Sequence, residues 1–131
     1  MADSSLFLLS WNVNGIRAAE RKGFSNWVRD TQPDVLCLQE IKATEDQVPA
    51  TVLAIDGYQT AWRPAERKGY SGVGVLYRRA PRSVAPLEID EFDVEGRVQV
   101  LDFDAFVLIN AYFPNSQAPG DEGRLDYKLR F

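Results

Sequence analysis

The sequence predicts an α/β fold, a mixed sheet with flanking helices, and three stretches carry that prediction. Val35-Leu36-Cys37-Leu38 is an unbroken apolar run of strand length, the pattern of a strand buried on both faces. Leu6-Phe7-Leu8-Leu9 opens an earlier strand of the same kind, and Phe24, Trp27 and Val28, at i, i+3 and i+4 between the two, mark a helix. Strand, helix and strand in that order make parallel neighbours through a right-handed crossover. Phe106-Val107-Leu108-Ile109 repeats the apolar run later in the chain.

Element by element, the first strand covers Leu6 to Val13 and is punctuated by Asn14-Gly15. The helix that follows ends near Thr31-Gln32, because Pro33 disfavours helix in the residue before it. Val35 to Gln39 is the second strand. A short helix from Glu45 to Leu53 comes next, weakened by Pro49. Tyr58 to Trp62 is a third strand, Pro64 to Gly72 a surface loop, and Val73 to Tyr77 a fourth strand. The pattern from Pro81 to Asp90 is weak. Arg97 to Phe103 and Phe106 to Phe113 form two strands around an Asp104-Ala105 turn, followed by the loop "PNSQAPGDEG". Leu125 and Leu129, four apart, mark a last helix with Asp121 and Glu122 at its start. That pattern is still running at Phe131, with no cap and no closing glycine, so a chain cut short at Phe131 is expected.

With 131 residues the chain has the length of one domain. No apolar run approaches a membrane span, and no secretory leader is expected, since the N-terminus lacks a basic region. One cysteine, Cys37, excludes an internal disulfide framework and suits a core position and a reducing cytoplasm. The absence of histidine excludes a Ser-His-Asp triad, a Cys-His dyad and any histidine metal site built from this chain alone. A net charge of −4 is a poor signature for nucleic-acid binding by bulk charge, although basic residues cluster at Arg17, Arg21 and Lys22, at Arg63, Arg67 and Lys68, and at Arg78, Arg79 and Arg82. Acid concentrates at Asp90, Glu91, Asp93 and Glu95, a run that reads as solvated surface.

The three apolar strands share a second property: each ends in hydrogen-bonding groups. The first delivers Asn12 and Asn14, the second Glu40 and Lys42, the last Asn110, Tyr112 and Asn115. Ligands of open α/β sheets bind outside the carboxyl ends of the strands, so these groups make a site if their strands share an edge. One carboxylate with amide oxygens and water is a hard-oxygen set suited to Mg²⁺. Lys42 either keeps Glu40 ionised or faces a phosphate, and Tyr112 and Asn115 offer donors to a phosphate oxygen. Metal-assisted phosphoryl transfer fits these groups better than acyl transfer or glycoside hydrolysis. Trp11, Trp27 and Trp62 are assigned to packing.

"SWNVNGIRA" (Ser10–Ala18), "PDVLCLQEIK" (Pro33–Lys42), "GYSGVGVLY" (Gly69–Tyr77), "EGRV" (Glu95–Val98) and "NAYFPN" (Asn110–Asn115) together resemble the exonuclease III family of abasic-site endonucleases. That family lies within the endonuclease/exonuclease/phosphatase superfamily, and the likeness runs along essentially the whole chain, in family order. It implies a DNase I-like two-sheet α/β sandwich with approximate internal two-fold symmetry, of which this chain matches the first half. It implies that Asn12 and Glu40 line a Mg²⁺ site, with Mn²⁺ as the substitute metal. Tyr112 and Asn115 would be catalytic residues on the scissile phosphate, and Arg17, Tyr70 and Arg97 would belong to DNA-contacting regions. Position 14 is Asp or Asn among members, and Asn14 offers no second carboxylate. Some members carry an Arg in the loop after "PN" where this chain has Gln117 nearby.

Family enzymes add a second half with an Asp-x-Asn motif, further metal-site acid and a terminal Asp-His pair. The resemblance thus implies a Mg²⁺-dependent DNA phosphodiesterase of base-excision repair that acts on double-stranded DNA at abasic sites and 3′ ends, with little or no activity expected of this chain by itself. A poorly folding fragment, a self-associating half that imitates the whole, a non-catalytic DNA-binding module, and a superfamily phosphatase remain as alternatives.

Overall fold

A computed structural model describes residues 5–116 and 122–131. Gln117 to Asp121, half of the "PNSQAPGDEG" loop, lie outside the described residues. The elements in chain order are β1 (Leu8–Asn12), α1 (Ile16–Arg21), α2 (Phe24–Thr31), β2 (Val35–Gln39), a 3₁₀ turn (Glu45–Gln47), α3 (Ala50–Leu53), β3 (Gln59–Arg63), β4 (Val73–Tyr77), β5 (Ser83–Ala85), α4 (Asp90–Asp93), β6 (Val98–Asp102), β7 (Val107–Ala111) and α5 (Glu122–Arg130). One sheet has the order β1-β2-β4-β3 and the other β5-β6-β7. β1 and β2 are parallel, as the crossover rule requires, and the remaining pairs are antiparallel. The fold is the expected α/β class with a mixed sheet.

β2 is buried on both faces because it lies inside the first sheet between two cores. Leu36 and Leu38 point to one side, where Leu76 joins Ile16, Ala19, Phe24, Val28 and Val52 from α1, α2 and α3. Val35 and Cys37 point to the other, where Val75 and Leu101 close the gap between the sheets. Burial pushes the Cys37 thiol up to about 11, so it stays protonated and behaves as a small apolar side chain. β1 and β7, read from sequence as fully buried, are edge strands of the described structure, and Leu8, Val107 and Ile109 are exposed.

Four local features depart from the periodicity. The first helix is broken at Gly23, which takes a left-handed conformation (φ +102°) and starts α2 afresh. Glu20 ties the halves together by accepting bonds from the Ser25 amide (2.9 Å) and hydroxyl. The Glu45 to Leu53 helix is two pieces around Pro49, which lacks the amide that a continuous helix would need. Pro81 to Asp90 contains β5 and the start of α4, too short to show a period. On α5 the Leu125 and Leu129 pair faces outward; the helix is held instead by Tyr127, buried against Phe92, and by ion pairs from Arg124 and Arg130.

Gly74 stands opposite Trp62 in the β3–β4 register, and a Cβ built there would overlap the indole ring. Gly74→Ala is therefore expected to cost about 1–3 kcal/mol by displacing Trp62, read as a lowered urea midpoint with a changed tryptophan emission. An unchanged midpoint and spectrum would show that the ring moves aside freely.

Candidate active site

The site is built where the chain leaves β1 and β2 and where it enters β4. Backbone bonds continue the ladder past the strand ends: Val13 N–H to Gln39 O (3.1 Å), Gly15 N–H to Glu40 O (2.7 Å), Ile41 N–H to Gly72 O (3.1 Å) and Lys42 N–H to Ser71 O (2.9 Å). Within these stitched loops Asn14, Glu40, Lys42 and Ser71 all have positive φ (+48°, +57°, +52° and +52°). Each such non-glycine residue costs on the order of 1 kcal/mol or more, and strain of this kind concentrates at functional positions.

Glu40 is the centre of the cluster. One carboxylate oxygen accepts the Tyr112 hydroxyl at 2.5 Å, and the other lies 3.4 Å from the Lys42 ammonium. Lys42 also donates to Asn14 Oδ1 (2.7 Å), and Asn12 Oδ1 accepts the Asn14 amide (3.0 Å). Burial works to raise the Glu40 carboxyl, but Tyr112, Lys42 and Asn12 outweigh it and hold the acid below its ordinary value. Burial and the adjacent Glu40 anion push the Tyr112 phenol up to about 12. At neutral pH the pair is thus a carboxylate beside an intact phenol. Glu40 can ligate a cation, and Tyr112 can donate a hydrogen bond but cannot act as a base.

The three polar strand ends do not share one sheet edge. β7 belongs to the second sheet, and Tyr112 reaches Glu40 across the gap between the sheets. The physical reason is side-chain alternation: Leu108, Asn110 and Tyr112 point into the sandwich, whereas Val107 and Ile109 point out. Asn110 consequently turns inward, fully buried, rather than toward a ligand.

A second cluster adjoins the first. Arg97 is 2% exposed, with its guanidinium bonded to Glu95 (2.8 Å), the Tyr70 hydroxyl (3.0 Å) and the Tyr112 carbonyl (3.1 Å). It also lies over the Tyr112 ring, 5.0 Å from the centroid. Tyr70 donates to Glu95 (2.8 Å) and receives Arg124 (3.1 Å). Burial opposes ionisation of Glu95, but Arg124, Arg97 and Tyr70 hold it down at about 2. The side chain of Arg97 therefore faces inward as a support for Tyr112, and Tyr70 is bonded into the same network. Glu95, read from sequence as one acid of a solvated run, organises the cluster; its place two residues before Arg97 in "EGRV" was the available signal.

Arg17 is exposed and donates to the Lys42 carbonyl (2.8 Å). With Arg21, Lys42, Asn14 and Gly69 it lines an open cavity of about 360 Å³ beside Glu40, a positively charged recess. Asn115 is exposed, three residues beyond Tyr112. Among the described residues, no group of three or more His, Cys, Asp or Glu gathers in a metal-holding arrangement, and no helix is long and apolar enough to cross a membrane.

Comparison with known proteins matches residues 9–131 to the profile of the Endonuclease/Exonuclease/phosphatase family. The chain is 41% identical to the DNA repair nuclease APEX1 of Danio rerio over 95% of its own length and 41% of that protein. It is 39% identical to an exodeoxyribonuclease of Bacillus subtilis over 95% of its length and 48% of that protein. Its fold superposes on an AP endonuclease from Archaeoglobus fulgidus with a TM-score of 0.80 at 27% identity, covering 96% of this chain and 48% of that one. The chain thus spans less than half the length of these relatives.

Proposed function

Because the chain belongs to the Endonuclease/Exonuclease/phosphatase family, we propose that it forms the phosphate- and metal-binding part of a DNA-repair phosphodiesterase. Its substrate would be double-stranded DNA, cut 5′ to an abasic site or trimmed at a 3′ end. The observation that carries this reading is the ionised Glu40 carboxylate met by the protonated Tyr112 phenol, with a basic recess alongside.

The donors fit Mg²⁺ in kind. Glu40 offers a carboxylate, Asn12 a carboxamide, and Mg²⁺ commonly keeps several waters beside one or two protein carboxylates. Mg²⁺, or Mn²⁺ in its place, would supply Lewis-acid polarisation of the scissile phosphate. Tyr112 and Asn115 would hold a phosphate oxygen by hydrogen bonds that strengthen as charge develops on it. Arg17 and Lys42 would neutralise the neighbouring backbone, with Tyr70 at the loop that borders them. Arg97 would act one step back, holding Tyr112 in place. The chain has no histidine, and the described residues gather one carboxylate at this point, so the group that positions the attacking water would come from a segment that the longer relatives carry. This chain by itself is expected to bind and not to cut.

The test is a labelled duplex with one abasic site, incubated with Mg²⁺ or with chelator, beside a Glu40→Ala control. Duplex binding that Mg²⁺ strengthens in the parent and not in the control supports the reading. Binding that depends on salt but not on Mg²⁺ would instead favour a non-catalytic DNA-binding module. Mg²⁺-dependent nicking lost in the control would overturn the expected inactivity, and sedimentation would then show whether two copies complete the site.

A further inference from the structure

Besides the Tyr112–Glu40 and Arg97–Tyr70 bonds at the site itself, a polar layer crosses the space between the two sheets. Asn110, from β7, places Nδ2 within hydrogen-bond distance of the Gly74 carbonyl (2.9 Å), the Gln99 Oε1 (3.1 Å) and the Leu38 carbonyl (3.2 Å). Its Oδ1 accepts Gln39 Nε2 at 2.9 Å, and the same Gln39 nitrogen donates to Ser10 Oγ at 2.9 Å. Gln99 Nε2 then donates to the Ala61 carbonyl at 3.0 Å. The amide ladder thereby joins β1, β2, β3, β4, β6 and β7. Asn110 and Gln99 are each 2% exposed.

The location of this layer is what gives it meaning. Gln39 directly precedes Glu40, and Asn110 lies two residues before Tyr112 on the same face of β7. The apolar part of the gap centres on Val35, Cys37, Val75 and Leu101, whose contacts are non-directional and tolerate small slides of one sheet over the other. Amide hydrogen bonds are directional, and a slide would leave buried donors and acceptors unpaired.

We propose that the Gln39–Asn110–Gln99 ladder is a positioning device that sets the height of one sheet against the other, so that Tyr112 meets Glu40. Asn110 is its central residue. The proposal rests on the reading of Glu40 and Tyr112 as the site, but its geometry is independent of which reaction they serve.

A double-mutant cycle in metal-free buffer tests it. Tyr112→Phe removes the bond to Glu40, and Gln99→Met removes, at similar volume, both Gln99 bonds, the one from Asn110 and the one to the Ala61 carbonyl. In the parent, Tyr112→Phe is expected to lower the folding equilibrium constant about tenfold, the worth of a bond to a charged group. In the Gln99→Met background the same change is expected to cost about twofold or less, because the contact is already lost; ladder residues with a merely structural role would give the same factor in both backgrounds. Gln39→Met supplies a second background. Gln39 is only half buried, and its loss unpairs Asn110 Oδ1 but leaves Nδ2 bonded to Leu38, Gly74 and Gln99, so this background is expected to fold should Gln99→Met fail to. Equal factors in the parent and in the folded background overturn the proposal, as does a Tyr112→Phe that costs nothing in the parent. A chain that binds no Mg²⁺ and no duplex would defeat the nuclease reading yet still return the coupling, so the two failures are distinguishable.

Discussion

Glu95→Ala is expected to lower stability by about 3–5 kcal/mol, because it leaves the Arg97 guanidinium buried without its counter-ion. Arg97 is 2% exposed, and its Nε and Nη2 both donate to Glu95 Oε1, at 3.1 and 2.8 Å. The partners that remain, Tyr112 O and Tyr70 Oη, are neutral. Urea unfolding at pH 7 measures the loss, and the Glu95→Leu/Arg97→Met double variant should recover most of it. The same pair sets an acid limit. The Glu95 carboxyl is lowered from its ordinary 4.5 to about 2 in the folded chain. Its contribution is therefore complete above about pH 4.5 and is lost as the pH falls toward 2, in total about 3 kcal/mol for a shift of that size. Glu95→Gln should flatten the stability profile in that window; a parent profile already flat there would show that the ion pair contributes nothing net.

Glu40→Gly and Glu40→Ala separate what the residue does for the fold from what it does for a ligand. Both are expected to weaken Mg²⁺ binding by more than about 100-fold, since even outer partners of a metal site are worth 10- to 100-fold. Their stabilities should differ. Glu40 has φ +57°, a conformation that glycine adopts freely and alanine does not, so the glycine variant should exceed the alanine variant by about 1 kcal/mol. Calorimetric Mg²⁺ titration with urea unfolding reads both effects. Mg²⁺ binding that survives in either variant would remove Glu40 from the metal site, and equal stabilities would show that the loop relaxes out of the left-handed region.

Arg97, Asn110 and Glu95 show how far sequence reasoning reaches. Each is legible as a polar residue near a strand end, and the sequence points each outward, to DNA, to a ligand or to solvent. In the fold all three turn inward, because the direction of a strand residue depends on which face of its sheet is covered. A polar residue is buried only where another element supplies its partners. Those partners lie 2 to 29 residues away for Glu95 but 11 to 72 residues away for Asn110, beyond any local period.

The amino-acid sequence by itself determined the α/β class, the parallel β1–β2 pair and the strand ends that deliver Asn12, Glu40 and Lys42. Apolar runs, helical spacing and the punctuation by glycine and proline are local properties, and local properties are legible along a chain. Only the tertiary structure decided that β7 lies in a second sheet, that Tyr112 crosses between the sheets to reach Glu40 over a separation of 72 residues, and that Arg97 stands behind it. Those arrangements follow from stacking two sheets face to face, where directional bonds between buried polar groups choose one register among the many that apolar contact alone would accept.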